Sequence, residues 1–448
     1  MASAAEQLAA NFNFGAFSKA TELKKRLWFT LGALIIYRLG THIPLPGIDP
    51  QVLKDIFSQN SGGVLDMFDM FAGGALSRMT IFALGIMPYI SASIIIQLLT
   101  AVSPQLEAMK KEGELGRRKI NQYTRYGTVL LALLQAYGLA MGIEAMTTSG
   151  GASAVENPGF AFRLTTVITI VSGTMFLMWL GEQITSRGVG NGISLIIFAG
   201  IVARLPAAIV GLLEQVRVGS MNPLALLLIT IMAVGVIMFI VYIERAQRRI
   251  LVQYPKRQVG NRMFGGEATH LPLKLNTPGV IPPIFASSLL LAPLTVVNLM
   301  SAQGGPAWME ILSRYLAHGT IWYMGIYAAL IAFFCFFYTA IVFNPMETAE
   351  NLRRYGGFVP GIRPGKNTAD YLDFVLTRIT VIGAIYLVFV CLLPEVLLVN
   401  FNMPFYFGGT SLLIVVSVTL DTVAQIHSHL LAHQYEGLIK KSKLKGRR

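Results

Sequence analysis

Ten stretches of this sequence approach the length of a membrane span and carry either no Asp, Glu, Lys or Arg at all or a single arginine. A transmembrane helix needs about 20 consecutive, mostly apolar residues. The uncharged stretches are Met79–Leu106, Tyr126–Ile143, Leu164–Gly181, Val218–Ile243, Leu275–Met309, Tyr315–Met346, Ile379–Pro394 and Val396–Leu420. Leu27–Ile43 and Gly188–Leu213 contain Arg38 and Arg204, which we expect to snorkel toward the membrane surface. We therefore expect an all-α polytopic membrane protein with ten transmembrane helices.

The composition excludes the common soluble classes. Apolar residues make up 54% of the chain and charged residues 13%, whereas ordinary soluble domains are roughly 25% charged. So few charges cannot coat a soluble enzyme of this length, and the apolar content excludes a disordered chain. The two cysteines, Cys335 and Cys391, both lie in apolar runs, which excludes a disulfide scaffold and a multi-cysteine metal site.

The net charge of +13 is distributed unevenly along the chain. Most Lys and Arg residues fall in segments 1–26, 107–125, 182–187, 244–274, 347–378 and 425–448, which alternate with connections poor in basic residues. The positive-inside rule then predicts that both termini are cytoplasmic. We expect a cytoplasmic segment (1–26), two five-span halves (27–213 and 218–424) and a cytoplasmic tail (425–448). Halves of opposite topology are a common plan, although the two halves show no convincing sequence repetition.

The connection between the first two spans contains an apolar segment with glycine pairs at both ends, Ser61–Arg78. It is too short to span the membrane and too apolar for an open loop. One interpretation is a half-helix at about 64–78 that is packed inside the protein and lines a cavity. The other is a re-entrant or periplasmic surface helix.

Two of the basic connections are long enough to fold. Loop 244–274 alternates polar and apolar residues on both sides of a basic tip, which predicts a hairpin. Loop 347–378 predicts a helix that stops at Gly356, followed by a new helix capped by Asn367 or Thr368. Their charge has two interpretations: it fixes topology only, or it forms a docking surface for a partner with an acidic or phosphate-rich surface.

The sequence gives little support to enzymatic or ion-coupled chemistry. The span centres hold no carboxylate, although ion-coupled transporters usually place ionisable groups there. Gly188–Gly192 follows no strand, so a nucleotide loop is disfavoured. His429 and His433 have helical metal-ligand spacing but lack further ligands nearby except Glu436. We expect no enzyme, metal or cofactor, and a secondary transporter of a small solute is the alternative function.

Isoleucines recur at helical spacing in two spans, as the pairs Ile86 and Ile90 and Ile193 and Ile197. Such stiff apolar side chains either make a dewetted constriction that blocks ions or simply pack. Polar neighbours in the second and seventh spans bond either between helices or back to their own helix carbonyls. These neighbours are Ser91, Ser93, Gln97, Ser287 and Ser288.

Long motifs make the chain resemble the SecY family, the large subunits of bacterial protein-translocation channels, from Glu22 to the C-terminal tail. The motifs are Arg38–Gly40, Ile43–Asp49, Met67–Arg78, Ala83–Gln97, Gly190–Ser194, Thr269–Lys274, Gly361–Gly365 and Pro404–Val416. The resemblance implies a clamshell of two pseudo-symmetric five-helix halves around an hourglass pore. It also implies a lateral gate between the second and seventh spans and a plug at about 64–78.

Site residues follow from the same resemblance, motif by motif. It assigns a pore ring to Ile86, Ile90, Ile193, Ile197, Ile284 and Ile414. It assigns the plug to Met67, Phe68, Asp69, Phe71, Gly73 and Gly74, and the lateral gate to Ser91, Gln97 and Ser288. It assigns docking of a motor or ribosome to Lys256, Arg257, Arg262 and Arg363.

The resemblance further implies a bacterial inner-membrane protein that translocates unfolded preproteins and releases membrane segments sideways. The implied partners are SecE, SecG, the SecA motor, the ribosome, signal sequences and membrane lipids, with SecD, SecF and YidC as accessory candidates. Three positions depart from the family pattern. Asp69 replaces an uncharged polar residue in the plug, Pro278 is an extra proline before the seventh span, and Met346 replaces a basic residue.

Overall fold

The computed structural model describes residues 21–49, 51–53, 69–145, 153–219, 222–254, 257–259, 262–264, 268–290, 315, 320–401 and 409–445. Met67, Phe68 and Lys256 of the predicted sites lie outside the described residues. The predicted plug helix is covered only from Asp69 onward. The cytoplasmic segment expected at the N-terminus is covered only from Thr21 onward.

Each of the ten predicted spans overlaps a helix in the described residues. These helices are α1 (Thr21–Gly40), α2 (Met87–Val102), α4 (Glu114–Ala145), α5 (Phe160–Arg187), α6 (Gly192–Arg217), α7 (Pro223–Arg245), α8 (Ile281–Leu290), α9 (Ile321–Val342), α11 (Lys366–Phe401) and α12 (Gly409–Lys445). Two short helices, α3 (Pro104–Lys111) and α10 (Pro345–Arg354), lie between them. Within the described residues, seven helices are individually long and apolar enough to cross a membrane, and α2 with α3 forms an eighth candidate that is bent by 98°. The fold is therefore that of a multi-pass α-helical membrane protein.

The chain divides into two compact units. The first consists of residues 1–207, 294–311 and 418–448, and the second of residues 208–293 and 312–417. The first unit thus contains α1 to α5, the N-terminal part of α6 and the C-terminal part of α12.

Small residues bring the helices of the first unit close together. Helix α4 packs against α2 and α5, and a Cβ atom at Gly127 of α4 would lie 3.5 Å from the methyl group of Ala92 on α2. A side chain at Gly173 of α5 would collide with the carbonyl oxygen of Ile81. Such close approach is how helices pack in a membrane, where burial of apolar surface gives little driving force.

The second unit holds the predicted hairpin. Strand β1 (Gln247–Gln253) pairs antiparallel with β4 (Ala268–Lys274), with Gln247 opposite Lys274. The tip contains β2 (Arg257–Val259) and β3 (Arg262–Phe264), which also pair antiparallel. The hairpin predicted for 244–274 is therefore confirmed over its described residues, with Arg257 in β2 and Arg262 in β3.

The two basic loops pack into one body, which we call the loop body (residues 244–274 and 347–378). Gln253 and Phe358 exchange backbone hydrogen bonds of 2.9 and 3.0 Å. Its apolar core consists of Ile250, Leu273, Val359, Leu372 and Val375, and it continues into Ile379 of α11. Because this core joins the two loops, the loop body is a folded element rather than a pair of open connections.

One predicted helix start in the loop body is wrong. Helix α11 begins at Lys366, and the carbonyl oxygen of Gly365 accepts bonds from the N–H groups of Thr368 and Ala369. The Thr368 hydroxyl donates to the carbonyl oxygen of Arg363 at 3.0 Å instead of capping the helix. Gly365, with φ +110°, turns the chain before either predicted cap residue. The predicted stop after α10 is confirmed, since Gly356 has φ +75°.

Candidate functional site

The plug segment, here residues 69–79, leaves the helical conformation early. It is helical only through Phe71 and then continues as turns, whereas the glycine-flanked pattern predicts a helix to about residue 78. Gly73 and Gly74 have φ angles of +69° and +82°, a region that a right-handed helix does not use. Helix geometry is therefore replaced by a tight loop at the glycine pair.

Asp69 organises this loop from inside. Its side chain is fully buried, and Oδ1 accepts hydrogen bonds of 2.9 Å from the backbone N–H groups of Leu76 and Ser77. Its carbonyl oxygen accepts a third bond from the N–H of Gly74. These bonds satisfy backbone donors that the turns leave without helical partners.

The charge of Asp69 is matched by an arginine of a different helix. Nη2 of Arg204, on α6, lies 2.8 Å from Oδ2 of Asp69. The contact is an ion pair, and Oδ2 has no hydrogen-bond donor among the described residues. The side chain of Arg204 is 36% exposed and that of Asp69 is 0% exposed, so a buried charge meets a partly solvated one.

Three further side chains hold the backbone of the plug segment. Nη1 of Arg38 donates to the carbonyl oxygen of Gly73 at 3.0 Å, and Nε of Arg78 donates to that of Gly74 at 2.9 Å. The Tyr37 hydroxyl donates to the carbonyl oxygen of Ala72 at 3.3 Å. Burial, followed by the nearby Arg38 guanidinium, lowers the pKa of Arg78. The guanidinium groups of Arg38, Arg78 and Arg204 therefore make the surroundings of the segment positively charged. The carboxylate of Asp69 is the counter-ion of these groups.

Arg38 and Arg204 make contacts that the sequence did not predict. Both guanidinium groups bind the plug segment. The physical reason is that an arginine inside a membrane protein is most stable beside a carboxylate or backbone carbonyls, which the plug segment supplies. Tyr37 and Arg78 were also missed, because only spatial proximity reveals their contacts.

Backbone contacts seat the plug segment against two spans. A Cβ atom at Gly200 of α6 would lie 3.3 Å from the Cα of Gly73. A Cβ atom at Gly85, directly before Ile86, would lie 3.4 Å from the Cα of Ala72. The segment therefore lies one helical turn from Ile197 and beside the start of α2.

Four of the six predicted ring isoleucines belong to the first unit. Ile86 and Ile90 are buried one turn apart, with the N–H of Ile90 bonded to the carbonyl oxygen of Ile86. On α6, Ile197 is buried and Ile193 is half-buried. Ile284 and Ile414 are buried within the second unit. The closed ring of six stays a prediction.

The three predicted lateral-gate residues differ in their surroundings. Nε2 of Gln97 donates to Oγ of Ser93 at 3.1 Å, within α2, and Ser91 is half-buried. Ser288 of α8 is buried, and its hydroxyl has no hydrogen-bond partner among the described residues. Ser287 donates to the carbonyl oxygen of Ile284, as a serine bonded within its own helix does.

The three predicted docking residues that the structure describes belong to the loop body. Arg257 lies in β2 and Arg262 in β3. Arg262 is paired with Val259, across the tip of the hairpin. Arg363 is exposed in the turn that precedes α11. The packing of the two loops described above therefore puts the three arginines on one folded body.

Comparison with known proteins finds one family that this sequence matches over most of its length. A family model described as SecY matches residues 80–423. The protein translocase subunit SecY of Escherichia coli strain K12 is 57% identical over 425 residues, covering 95% of this chain and 96% of that protein. The protein of the same name from Vibrio cholerae is 55% identical over 432 residues, covering 96% of each.

Solved structures show the same fold at lower identity. One, described as "The structure of a protein conducting channel", matches with a TM-score of 0.65 and 18% identity over 91% of this chain and 92% of that chain. A second is described as showing that the plug domain of a SecY protein stabilises the closed state of the translocation channel. It matches with a TM-score of 0.63 and 19% identity over the same shares.

Proposed function

This chain belongs to the SecY family, and we propose that it is the central pore subunit of a protein-conducting channel. It passes unfolded preproteins across the membrane and releases transmembrane segments sideways into the bilayer. The observation that carries this function is the 57% identity, over nearly the full length of both chains, to a protein translocase subunit. The alternative, a transporter of a small solute, gains no support from relatives of this name.

Closure of the resting pore is assigned to the isoleucines. An ion that enters a narrow apolar ring must give up its hydration shell, and no charged group there replaces that shell. Burial of Ile86, Ile90 and Ile197 supports this assignment. The stiffness of β-branched side chains keeps the opening small without a specific ligand. Such a ring binds no sequence in particular, which suits unfolded polypeptide as the substrate.

Opening is assigned to a signal sequence and the lateral gate. A signal sequence is an apolar helix, so it is stable between the second and seventh spans with one side in lipid. Its insertion moves the span that carries Ser91 and Gln97 away from the span that carries Ser288, and it displaces the plug segment. Buried Ser288 supports this, because its hydroxyl has no partner among the residues that the structure describes and gains from a new one.

Membership of the family suggests the membrane partners, and the charge of the loop body suggests the docking partners. SecE clamps the two halves and SecG joins at the periphery, in the inner membrane of a bacterium with both termini cytoplasmic. SecA or the ribosome docks on Arg257, Arg262 and Arg363, where a folded basic body attracts acidic or phosphate-rich surfaces. SecA supplies the direction of transport, since this chain has no nucleotide motif of its own.

Reconstitution tests this function. The purified chain with SecE and SecG is placed in liposomes, and SecA, ATP and a radiolabelled preprotein are added outside. Protease-protected preprotein should accumulate only with ATP and an intact signal sequence. Absence of protected preprotein, while an authentic translocase works in parallel with the same SecA, would contradict the proposal.

A further inference from the structure

Asp69 is unusual for a carboxylate because its side chain is completely buried. Of the acidic side chains whose surroundings the structure describes, Asp69 alone is buried. An ionised carboxylate is strongly destabilised inside a protein unless charges and hydrogen-bond donors surround it. Two backbone N–H groups of its own segment meet this need in part, and the matching charge comes from Arg204 of α6.

The contacts of the plug segment fall into two kinds. Arg38 and Tyr37, both on α1, bind backbone carbonyls of the segment, so these bonds do not depend on which side chains the segment carries. Arg78 belongs to the segment itself and bonds to the carbonyl oxygen of Gly74. Arg204 instead binds the side chain of Asp69. The two residues are 135 positions apart in sequence and on different elements. Displacing the segment away from α6 therefore separates two opposite charges.

We propose that Arg204 is a positioning residue that seats the plug segment through Asp69, and that this pair sets how stringently the channel selects signal sequences. The proposal rests on the proposed function, in which a signal sequence must displace the plug segment. Separating the pair adds to the free energy of opening. A strongly apolar signal sequence supplies enough insertion energy to overcome it, whereas a weak one does not.

Four substitutions test the pair with little change in shape. Asp69→Asn removes the charge but keeps an oxygen that accepts the bonds from Leu76 and Ser77. Arg204→Met keeps the apolar stem and removes the charge, and Arg204→Lys restores a cation. Arg217→Met, at the exposed C-terminal end of the same helix, is the matched control.

The first readout is export into proteoliposomes of two preproteins, one with an intact signal sequence and one with a charged residue inside the apolar core of its signal. Asp69→Asn and Arg204→Met should each raise export of the defective preprotein roughly fivefold, the size expected for a partly exposed ion pair. Export of the intact preprotein should stay unchanged. The double variant should give no more than either single variant, and Arg204→Lys should restore stringency.

A second readout follows the plug segment directly. A Ser77→Cys variant is made in a Cys335→Ala, Cys391→Ala background, and its modification by a membrane-impermeant maleimide is timed in the resting complex. Asp69→Asn and Arg204→Met should speed modification, and Arg217→Met should not.

The outcomes separate this proposal from the proposed function. Failure of the unsubstituted chain to export the intact preprotein would contradict the proposed function. Normal export with unchanged stringency in Arg204→Met would overturn the role of the pair. Additive single effects, or equal loss of export for both preproteins, would overturn it as well, because they indicate independent residues or damaged folding.

Discussion

Gly73 and Gly200 face each other so closely that a Cβ atom on Gly73 would come within 2.8 Å of the Cα of Gly200. Gly73 lies in the plug segment and Gly200 on α6, so the closest approach between them involves backbone alone. Two consequences follow for any side chain at position 73. It would push the segment off α6, and it would be held at φ +69°, where side chains are strained.

Gly73→Ala should therefore loosen the plug segment and raise the ion conductance of the resting channel in planar bilayers. Overpacking of this kind costs about 1–3 kcal/mol. Gly113→Ala is a matched control, because Gly113 has a similar φ of +78° but nothing within 4 Å of an added Cβ. Equal conductance of the two variants would show that backbone strain, and not contact with α6, determines any effect.

The ring assignment predicts a contrast between two isoleucines of one helix. Ile90 and Ile94 are both buried, at 5% and 2% exposure, and lie one turn apart on α2. Ile90→Gly and Ile94→Gly lose the same side chain and the same helix propensity, about 1 kcal/mol for glycine. Only Ile90→Gly should raise the resting ion conductance, because only Ile90 is assigned to the ring. A similar rise in both variants would mean that helix damage opens the channel.

Much of the fold could be predicted from local patterns. Uncharged stretches located ten helices, because a span must be apolar along its own length, and alternation around Arg249–Gln253 located the hairpin. The plug segment was harder. Its glycines were visible in the sequence, but the end of its helix at Phe71 is set by contacts with Gly200, Arg204 and Tyr37, which are distant in sequence.

The contact between Asp69 and Arg204 could have been suspected from the sequence. Asp69 was recognised as a departure from the family pattern, and Arg204 as a lone charge in a span. An unpaired charge is strongly destabilising inside a membrane protein, which is a reason to expect the two residues to pair. Spacing does not show which charges meet, because a separation of 135 positions leaves their relative placement open. Spacing likewise does not show whether the six isoleucines form a ring, since they belong to two units.

The core of the loop body should be needed for motor docking but not for pore closure. Leu372 is completely buried in that core, beside Ile250 and Val375. Leu372→Ala should destabilise the loop body by about 2–5 kcal/mol. Limited proteolysis should then cleave the loop body faster, and SecA binding should weaken. Unchanged resting conductance serves as the control, and a loss of pore closure would contradict the separation of the two roles.

The bidentate contact between Arg125 and Glu182 should stabilise the first unit slightly. Nε and Nη2 of Arg125, on α4, lie 3.2 and 2.6 Å from the two carboxylate oxygens of Glu182 on α5. Because the side chains are 48% and 31% exposed, water screens the pair, and Arg125→Gln should cost about 0.2–1 kcal/mol. Thermal unfolding of the purified complex in detergent measures the change.

The matched control for this pair is Arg118→Gln. Arg118 lies 3.9 Å from Glu114 within α4, with both side chains strongly exposed, so its loss should leave the midpoint of unfolding nearly unchanged.

Arg363→Glu should lower SecA-driven export about tenfold, because the docking proposed here pairs Arg363 with an acidic or phosphate-rich surface, and a like charge would then repel that surface. Arg363 is exposed on the loop body, so the substitution should leave the fold intact. The amount of SecE that copurifies with the chain reports on assembly and should not change. Arg354→Glu is the matched control, since Arg354 is also exposed but ends α10 and has no assigned docking role. Equal loss of export and of copurified SecE in Arg363→Glu would indicate misfolding and contradict the docking assignment. Equal loss of export in both variants would show that net charge, and not position 363, governs motor binding.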